Sequence, residues 1–414
     1  MSGIKINEGL FDGVEYFESP QRRRELVEFF QFEKRRVILG QNALDTLGEE
    51  CRRLDAGRIV LVRDPGIAAL EGLVRPVLEA GGIEVAAVYD EIIPNPSVES
   101  VDRFADFIKG VECAAVIALG GGSTLDTVKT GLCAATAGGS IADYFGFDLF
   151  EEPPHWSLIG IPTTAGTGAE ASRVSVVANE FGKQAVYSDY LTPKVALVDP
   201  QLSRDLPPVL TATTGLDALG HALECTASQK SNALGDAVAR EALRVGCPGL
   251  VRAIEHGARD SQARYLMARC SLLAGLLLSP INTGAAHALG YGIEKLSYEA
   301  GKPVPHGTAV GLVLPGVMQH NMPAVADKYY YAAGVAGLDL AGKSREQGTV
   351  LAAQWVDQLR RQHTPYGSLA DAGLGAADIP RMVEIAMNVR RLLDPNPVEV
   401  SSQDAVRIYQ GILE

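Results

Sequence analysis

Asp217 and His221 stand four residues apart in TTGLDALGHALE, a spacing that on a helix places a carboxylate and an imidazole on one face, one turn apart. A lone Asp/His pair at this spacing most often makes a surface hydrogen bond. His287 in AAHALGYG and His306 in VPHGTAV are flanked by small or apolar residues, where an unpaired imidazole is poorly solvated. Taken singly, each is read as a satisfied core histidine. Taken together, Asp217, His221, His287 and His306 form a set of three nitrogens and one oxygen suited to Fe²⁺ or Zn²⁺, with coordination positions left for substrate. Such an ion lowers the pKa of a bound water or alcohol and polarises a carbonyl.

A second chemistry is written in glycine. The apolar run Ala114–Leu119 leads into Gly120, Gly121, Gly122 and Ser123, and helix-like sequence follows. Backbone amides at a helix start, free of side chains, can approach a phosphate, favoured by the helix dipole. The competing reading is a tight turn that needs glycine for its dihedral angles. The pattern is neither GxGxxG nor GxxxxGK[ST], which disfavours an ordinary Rossmann dehydrogenase and a P-loop NTPase. A second loop, Pro162-Thr163-Thr164-Ala165-Gly166-Thr167-Gly168, offers hydroxyls and amides for the rest of a pyrophosphate or for the nicotinamide amide, or is a structural turn. Asp64, just past a predicted strand, could accept from ribose hydroxyls and repel a 2′-phosphate, favouring NAD over NADP, or could be a solvated aspartate. A metal together with a dinucleotide implies hydride transfer at a carbinol carbon.

The elements that must carry these residues divide the chain in two. Strands are predicted at Arg58–Val62, Val85–Tyr89, Ala114–Leu119, Leu158–Ile161 and Val195–Val198, separated by helix-length segments. They are apolar on both faces, which predicts a parallel sheet covered on both sides. Beyond Pro207-Pro208 long helical periodicities take over, as in DAVAREALRVGCPGLVRAIEHG and QARYLMARCSLLAGLLL. The expected organisation is an N-terminal extension over 1–33, a dinucleotide-binding α/β domain over 34–205, and an all-α metal-binding domain over 206–414. The extension contains FESPQRRRELVEFFQFEKRR, read as a short surface helix opening at Ser19-Pro20, with its arginines on a solvated face.

Composition bounds the rest. The 414 residues are 47% hydrophobic and 21% charged, as in globular chains, and the net charge of −13 argues against nucleic-acid or anionic-membrane partners. Six dispersed cysteines without CxxC pairs fit a reducing compartment. No secretory leader pattern is visible, and the apolar run Leu272–Leu278 is too short to span a bilayer. A cytoplasmic enzyme is expected.

The segments GGGSTLDTVK, PTTAGTGAE, VALVDPQL, TGLDALGHALE, HALGY and PHG, with Asn95-Pro96, together resemble the iron-containing (group III) alcohol dehydrogenase family from Val37 to the C-terminus. The resemblance implies a Rossmann-like α/β domain and a helical domain, the architecture shared with dehydroquinate synthase, with the metal in the cleft between them. Matching positions imply Asp217, His221, His287 and His306 as metal ligands. They imply Gly121, Gly122 and Ser123 for the pyrophosphate, Asp64 and Asn95 for the adenosine side, and Thr163 and Thr164 beside the phosphates. Ser172, Lys183 and, within GGGSTLDTVK, Asp126 complete the expected cofactor set. Many members carry a second histidine four residues after the third ligand; here it is Tyr291, expected on the proton path. The NPR motif common near the C-terminus reads Asn396-Pro397-Val398, and the segment between His287 and His306 is longer than in many members. The expected activity is a metal-dependent, NAD(P)-linked alcohol dehydrogenase or aldehyde reductase, working as a homo-oligomer on a small alcohol or aldehyde. One rival is a sugar-phosphate cyclase of the dehydroquinate synthase type, which needs several basic residues around its substrate; the helical half shows no clear cluster of them facing the His287–His306 segment. The other is a non-catalytic metal- or nucleotide-binding scaffold.

Overall fold

The structure, a computed structural model, describes residues 35–180 and 182–414. The expected extension over 1–33, with its helix after Ser19-Pro20, lies outside the described residues. Six parallel strands form the main sheet: β1 (Arg36–Leu39), β2 (Arg58–Arg63), β3 (Glu84–Tyr89), β4 (Ala115–Gly120), β6 (Ser157–Pro162) and β9 (Val195–Val198), in the order β1-β9-β6-β4-β2-β3. Alternation along β2 shows why both faces are apolar. Ile59 and Leu61 enter one core layer, with Leu47 and Leu78; Val60 and Val62 enter the other, with Phe104 and Val128. The covering helices are α1 (Leu47–Arg53) and α2 (Glu71–Ala80) on the first face, α3 (Val98–Lys109) and α4 (Gly122–Ala137) on the second.

Two features depart from the sequence expectation. Strand β1 adds an edge to the main sheet, pairing with β9 from Arg36↔Val195 to Leu39↔Val198. A second, three-stranded sheet contains β5 (Gly146–Phe147), β7 (Val174–Asn179) and β8 (Gly182–Tyr187), where no strand is predicted. Strands β7 and β8 are antiparallel, and Lys183 and Tyr187 on β8 share a face because they are four residues apart.

No strand follows β9 among the described residues. The chain continues as α5 (Pro208–Ala227), α6 (Ala233–His256), α7 (Ser261–Leu277), α8 (Ala285–Glu299), α9 (His306–Val335), α10 (Arg345–His363), α11 (Ile379–Met387), α12 (Arg390–Leu393) and α13 (Ser402–Gln410). Helix α5 is buried almost along its whole length, which its Ala-, Gly- and Leu-rich sequence permits. No described helix is long and apolar enough to cross a membrane.

Candidate active site

Parallel pairing of β4 with β6 puts the ends of both strands side by side, Gly120 opposite Pro162. Their loops interlock: Thr163 N–H donates to Gly120 O at 3.0 Å, and a Cβ on Gly122 would come within 2.6 Å of Thr167 Cγ2. None of the three glycines has a positive φ. Close approach, not turn dihedrals, is what requires glycine here. Helix α4 opens at Gly122 with no side-chain cap, so its first N–H groups are available to a ligand.

The residues expected to serve the metal, the cofactor or the proton path all line one cleft of about 790 Å³ between the sheet's carboxyl edge and the helical half. At the loop end, Asp64 caps a short 3₁₀ turn by accepting from Gly66 N–H at 2.6 Å, and Asn95 N–H donates to Ser123 Oγ at 3.1 Å. Thr164 lies against Gly121. Two members of the expected set also hold the β7 backbone: Asp126 accepts from Val176 N–H and Ser172 Oγ from Val174 N–H, each at 3.0 Å. Burial pushes the Asp126 carboxyl above its usual range. Lys183 stands at the other end of the cleft, with Nζ 2.5 Å from Glu294 Oε2.

There the histidines converge. Helix α5 presents Asp217 and His221, α8 presents His287, and α9 begins at His306. The approach of α9 to α5 depends on Gly307, where a Cβ would lie 2.0 Å from Thr213 O and 2.9 Å from Asp217 Cβ. Asp217 Oδ1 is 3.4 Å from His287 Nε2, 3.5 Å from His306 Nε2 and 3.6 Å from His221 Nε2. Asp217, His221 and His287 offer ligand atoms all within 4.8 Å of one another, and His306 joins through Asp217. Asp217 Oδ1 and His287 Nε2 are buried without a hydrogen-bond partner. A tetrahedral cation with bonds of about 2.1 Å has ligand–ligand edges of about 3.4 Å, so the spacing and the orphaned atoms both suit a divalent ion.

Two carboxylates not anticipated from the sequence prepare this set. Glu224 pairs with His287 Nδ1 and accepts from Ala286 N–H at 2.6 Å. Glu294 Oε1 lies 2.6 Å from His306 Nδ1. An ionised carboxylate can only accept, so each pair fixes the ring proton on Nδ1 and leaves the Nε2 lone pair for a metal. Burial would raise the Glu294 pKa, but Lys183 and His306 bring it down to about 2. Burial and the Glu224 carboxylate oppose each other at His287, whose pKa ends at about 9. Burial dominates at His221, which falls to about 4 despite Asp217. Burial also works against the Asp217 carboxylate, yet the surrounding imidazoles hold it well below the usual range. Glu224 lies seven residues after Asp217 and Glu294 seven after His287, two helical turns in each case. That period is the signal that could have found both.

Tyr291 lies beside the cluster, its ring 5.8 Å from that of His306, and its hydroxyl accepts from Arg391 Nη2 at 3.2 Å. Arg391 is a single cation from the helical half beside the His287–His306 segment, not a basic cluster, and Lys183 approaches from the other half.

Residues 34–200 match the model described as iron-containing alcohol dehydrogenase, and residues 211–413 match the C-terminal domain of the same family. The chain belongs to the iron-containing alcohol dehydrogenase family. A choline dehydrogenase from Bacillus subtilis is 33% identical over 87% of this chain and 89% of its own length. A solved 1,3-propanediol oxidoreductase superposes with a TM-score of 0.86 at 31% identity, covering 94% of this chain and all of the other. A sulfoacetaldehyde reductase from Bifidobacterium kashiwanohense, solved with NAD⁺, gives 0.81 at 27% identity, over 94% of this chain and 99% of that one. Membership in an alcohol dehydrogenase family makes the protein an oxidoreductase acting on CH–OH groups, and the cyclase alternative is not favoured.

Proposed function

We propose that the protein transfers hydride between NAD and a small alcohol or aldehyde, with Asp217, His221, His287 and His306 holding a divalent iron. The observation that carries this reading is the convergence of three Nε2 atoms on Asp217 Oδ1, with two of the rings oriented by buried carboxylates. When bound, the ion supplies Lewis acidity to the substrate oxygen and NAD supplies the hydride acceptor. The chain's own residues do the rest. Gly121, Gly122 and Ser123 offer amides and a hydroxyl at the α4 N-terminus for the pyrophosphate, with Thr163 and Thr164 alongside. Asp64 and Asn95, at the loop end of the cleft, are assigned to the adenosine ribose, where the carboxylate would favour NAD over NADP. Asp126 and Ser172 support that wall through the β7 backbone. Tyr291 has a hydroxyl that accepts from Arg391 and so keeps its own proton free for exchange at the cleft. Six free cysteines fit a reducing cytoplasm. Assembly into a homo-oligomer rests on the family resemblance and is read by light scattering.

The relatives' names span choline, a cation; propanediol, a neutral diol; and sulfoacetaldehyde, an anion. Substrate charge is therefore set by the pocket of each member, not by the family. Anaerobically prepared enzyme should reduce or oxidise members of an aldehyde and alcohol panel with NAD(H) in preference to NADP(H). Chelation should abolish this and Fe²⁺ restore it, and Asp217→Ala should lose metal while keeping its fold. Activity unchanged by chelation across the whole panel would sink the reading.

A further inference from the structure

Arg391, on the four-residue helix α12, carries its charge into the cleft without a countercharge. Nη1 donates to Tyr187 Oη at 3.1 Å and Nη2 to Tyr291 Oη at 3.2 Å, and the guanidinium carbon stands 5.9 and 5.8 Å from the two ring centres. Among the described residues it forms no ion pair. Its neighbour Arg390 does, with Asp394 at 2.5 Å. Arg264, a buried guanidinium that also lacks a carboxylate partner, is held differently, by Thr211 and the main-chain carbonyls of Arg204 and Leu206. The partners of Arg391 are hydroxyls, which accept from it and still have protons to give.

The surroundings supply more donors. Asn282 Nδ2 donates to Tyr187 Oη at 3.1 Å, so that oxygen receives two hydrogens and its own proton is left to point elsewhere. Lys183 adds a second cation 5.6 Å from the Tyr291 ring centre, and the carboxylate it pairs with, Glu294, is shared between Lys183 and His306. A wall of a guanidinium and two tyrosine hydroxyls, lining the same cleft as the metal ligands, is an acceptor-binding surface. Desolvating a guanidinium there is costly unless a ligand's negative charge meets it.

We propose that Arg391, with the hydroxyls of Tyr187 and Tyr291, binds an anionic group at the far end of a short aldehyde or alcohol substrate. The inference rests on the hydride-transfer reading and names the substrate class: an oxyanion-bearing chain such as an ω-oxo acid or its hydroxy acid. The Tyr291 ring stands 5.8 Å from the His306 ring and 5.8 Å from the Arg391 guanidinium, which keeps the metal end and the cation within reach of one short chain.

The test compares succinate semialdehyde, a three-carbon aldehyde ending in a sulfonate, and butanal, using iron-loaded parent, Arg391→Gln and Arg391→Lys. The parent should prefer the two anionic aldehydes. In Arg391→Gln the anionic-to-neutral ratio of kcat/KM should fall about 10- to 100-fold, the worth of a hydrogen bond to a charged group, with Arg391→Lys in between. The carboxylate and sulfonate arms show which oxyanion is preferred. Calorimetric titration with succinate reads the same site without turnover: binding to the parent and its loss in Arg391→Gln, at unchanged Tm, support the proposal. Butanal used as well as the anionic aldehydes, or a variant that weakens NADH while leaving the ratio unchanged, overturns it. Turnover of no aldehyde at all, with succinate still bound through Arg391, would sink the hydride-transfer reading and spare the anion site.

Discussion

Replacing Glu224 with Gln should weaken the metal site without removing a ligand. Glu224 pairs with His287 Nδ1 and accepts from Ala286 N–H, and a Gln carbonyl can keep one of these contacts while the charge is lost. Burial lowers the affinity of His287 for positive charge; Glu224, aided by Asp217, more than reverses this and lifts the pKa from 6.5 to about 9. That is a preference of ~3 kcal/mol for a positive charge on the ring. A cation at Nε2 sits across the ring from the carboxylate, and Asp217 supplies part of the preference, so only a fraction is lost. The expected result is a 10- to 100-fold weaker metal Kd, about 1.4 to 2.7 kcal/mol. The assay is anaerobic Fe²⁺ titration of the metal-free protein against a competing chelator, alongside the Tm of the metal-free form. A Kd within threefold of the parent at equal Tm would refute the argument that Glu224 tunes the ligand. A collapsed Tm would show instead that its contact with Ala286 holds the start of α8.

Gly307→Ala should drive α9 away from α5, because the new methyl would meet Thr213 O and Asp217 Cβ; a loss of about 2 kcal/mol or more in urea unfolding and reduced metal content are expected. Gly122→Ala should weaken NAD binding about tenfold or more in a fluorescence titration, since its methyl would strike Thr167 at the loop contact. Glu170 is buried, and burial lifts its pKa from 4.5 to about 7. The folded state therefore keeps a proton that the unfolded chain gives up, and stability falls as pH rises from 4.5 through 7. Glu170→Gln, which does not titrate, should be more stable than the parent by up to ~3 kcal/mol at pH 8 and lose that advantage near pH 4.5; an advantage equal at both pH values would exclude the linkage.

What could be read in the sequence is what repeats locally. Apolar runs locate β2, β3, β4, β6 and β9 to within a residue or two: β2, β4, β6 and β9 are buried on both faces, and β3, half buried at the sheet edge, keeps the same Val-rich run. The Asp217–His221 spacing survives because one helix carries both. Sequence reasoning missed what only tertiary contact defines. Strand β1 is short and half exposed. The β7–β8 hairpin, with half-buried positions among buried ones, carries a weak strand signal, yet it delivers Lys183 and Tyr187. Glu224 and Glu294 read as ordinary helical glutamates until α5, α8 and α9 bring histidine Nδ1 atoms against them. Arg391 lies in a helix too short for any periodicity, and its meaning comes from two tyrosines, one 204 and the other 100 residues away.

The distribution of charge in the cleft explains how a protein of net charge −13 can serve anionic ligands. At the metal end, the carboxylates of Asp217, Glu224 and Glu294 face the cations Lys183 and Arg391. A divalent ion turns that excess of one negative charge into an excess of one positive charge. Without the ion, a proton on His287 cancels the negative excess, held there by Glu224 and Asp217 against the cost of burial, whereas burial keeps the His221 pKa low. With the ion bound, protons and metal compete for the same nitrogens, and the cleft becomes most attractive to a negative substrate only when it is also competent for chemistry. The acidic remainder of the surface gives no such focus. In the proposed reading, the α4 amides meet the nucleotide's phosphates at one end of the cleft, and Arg391 meets the substrate's anionic group at the metal end.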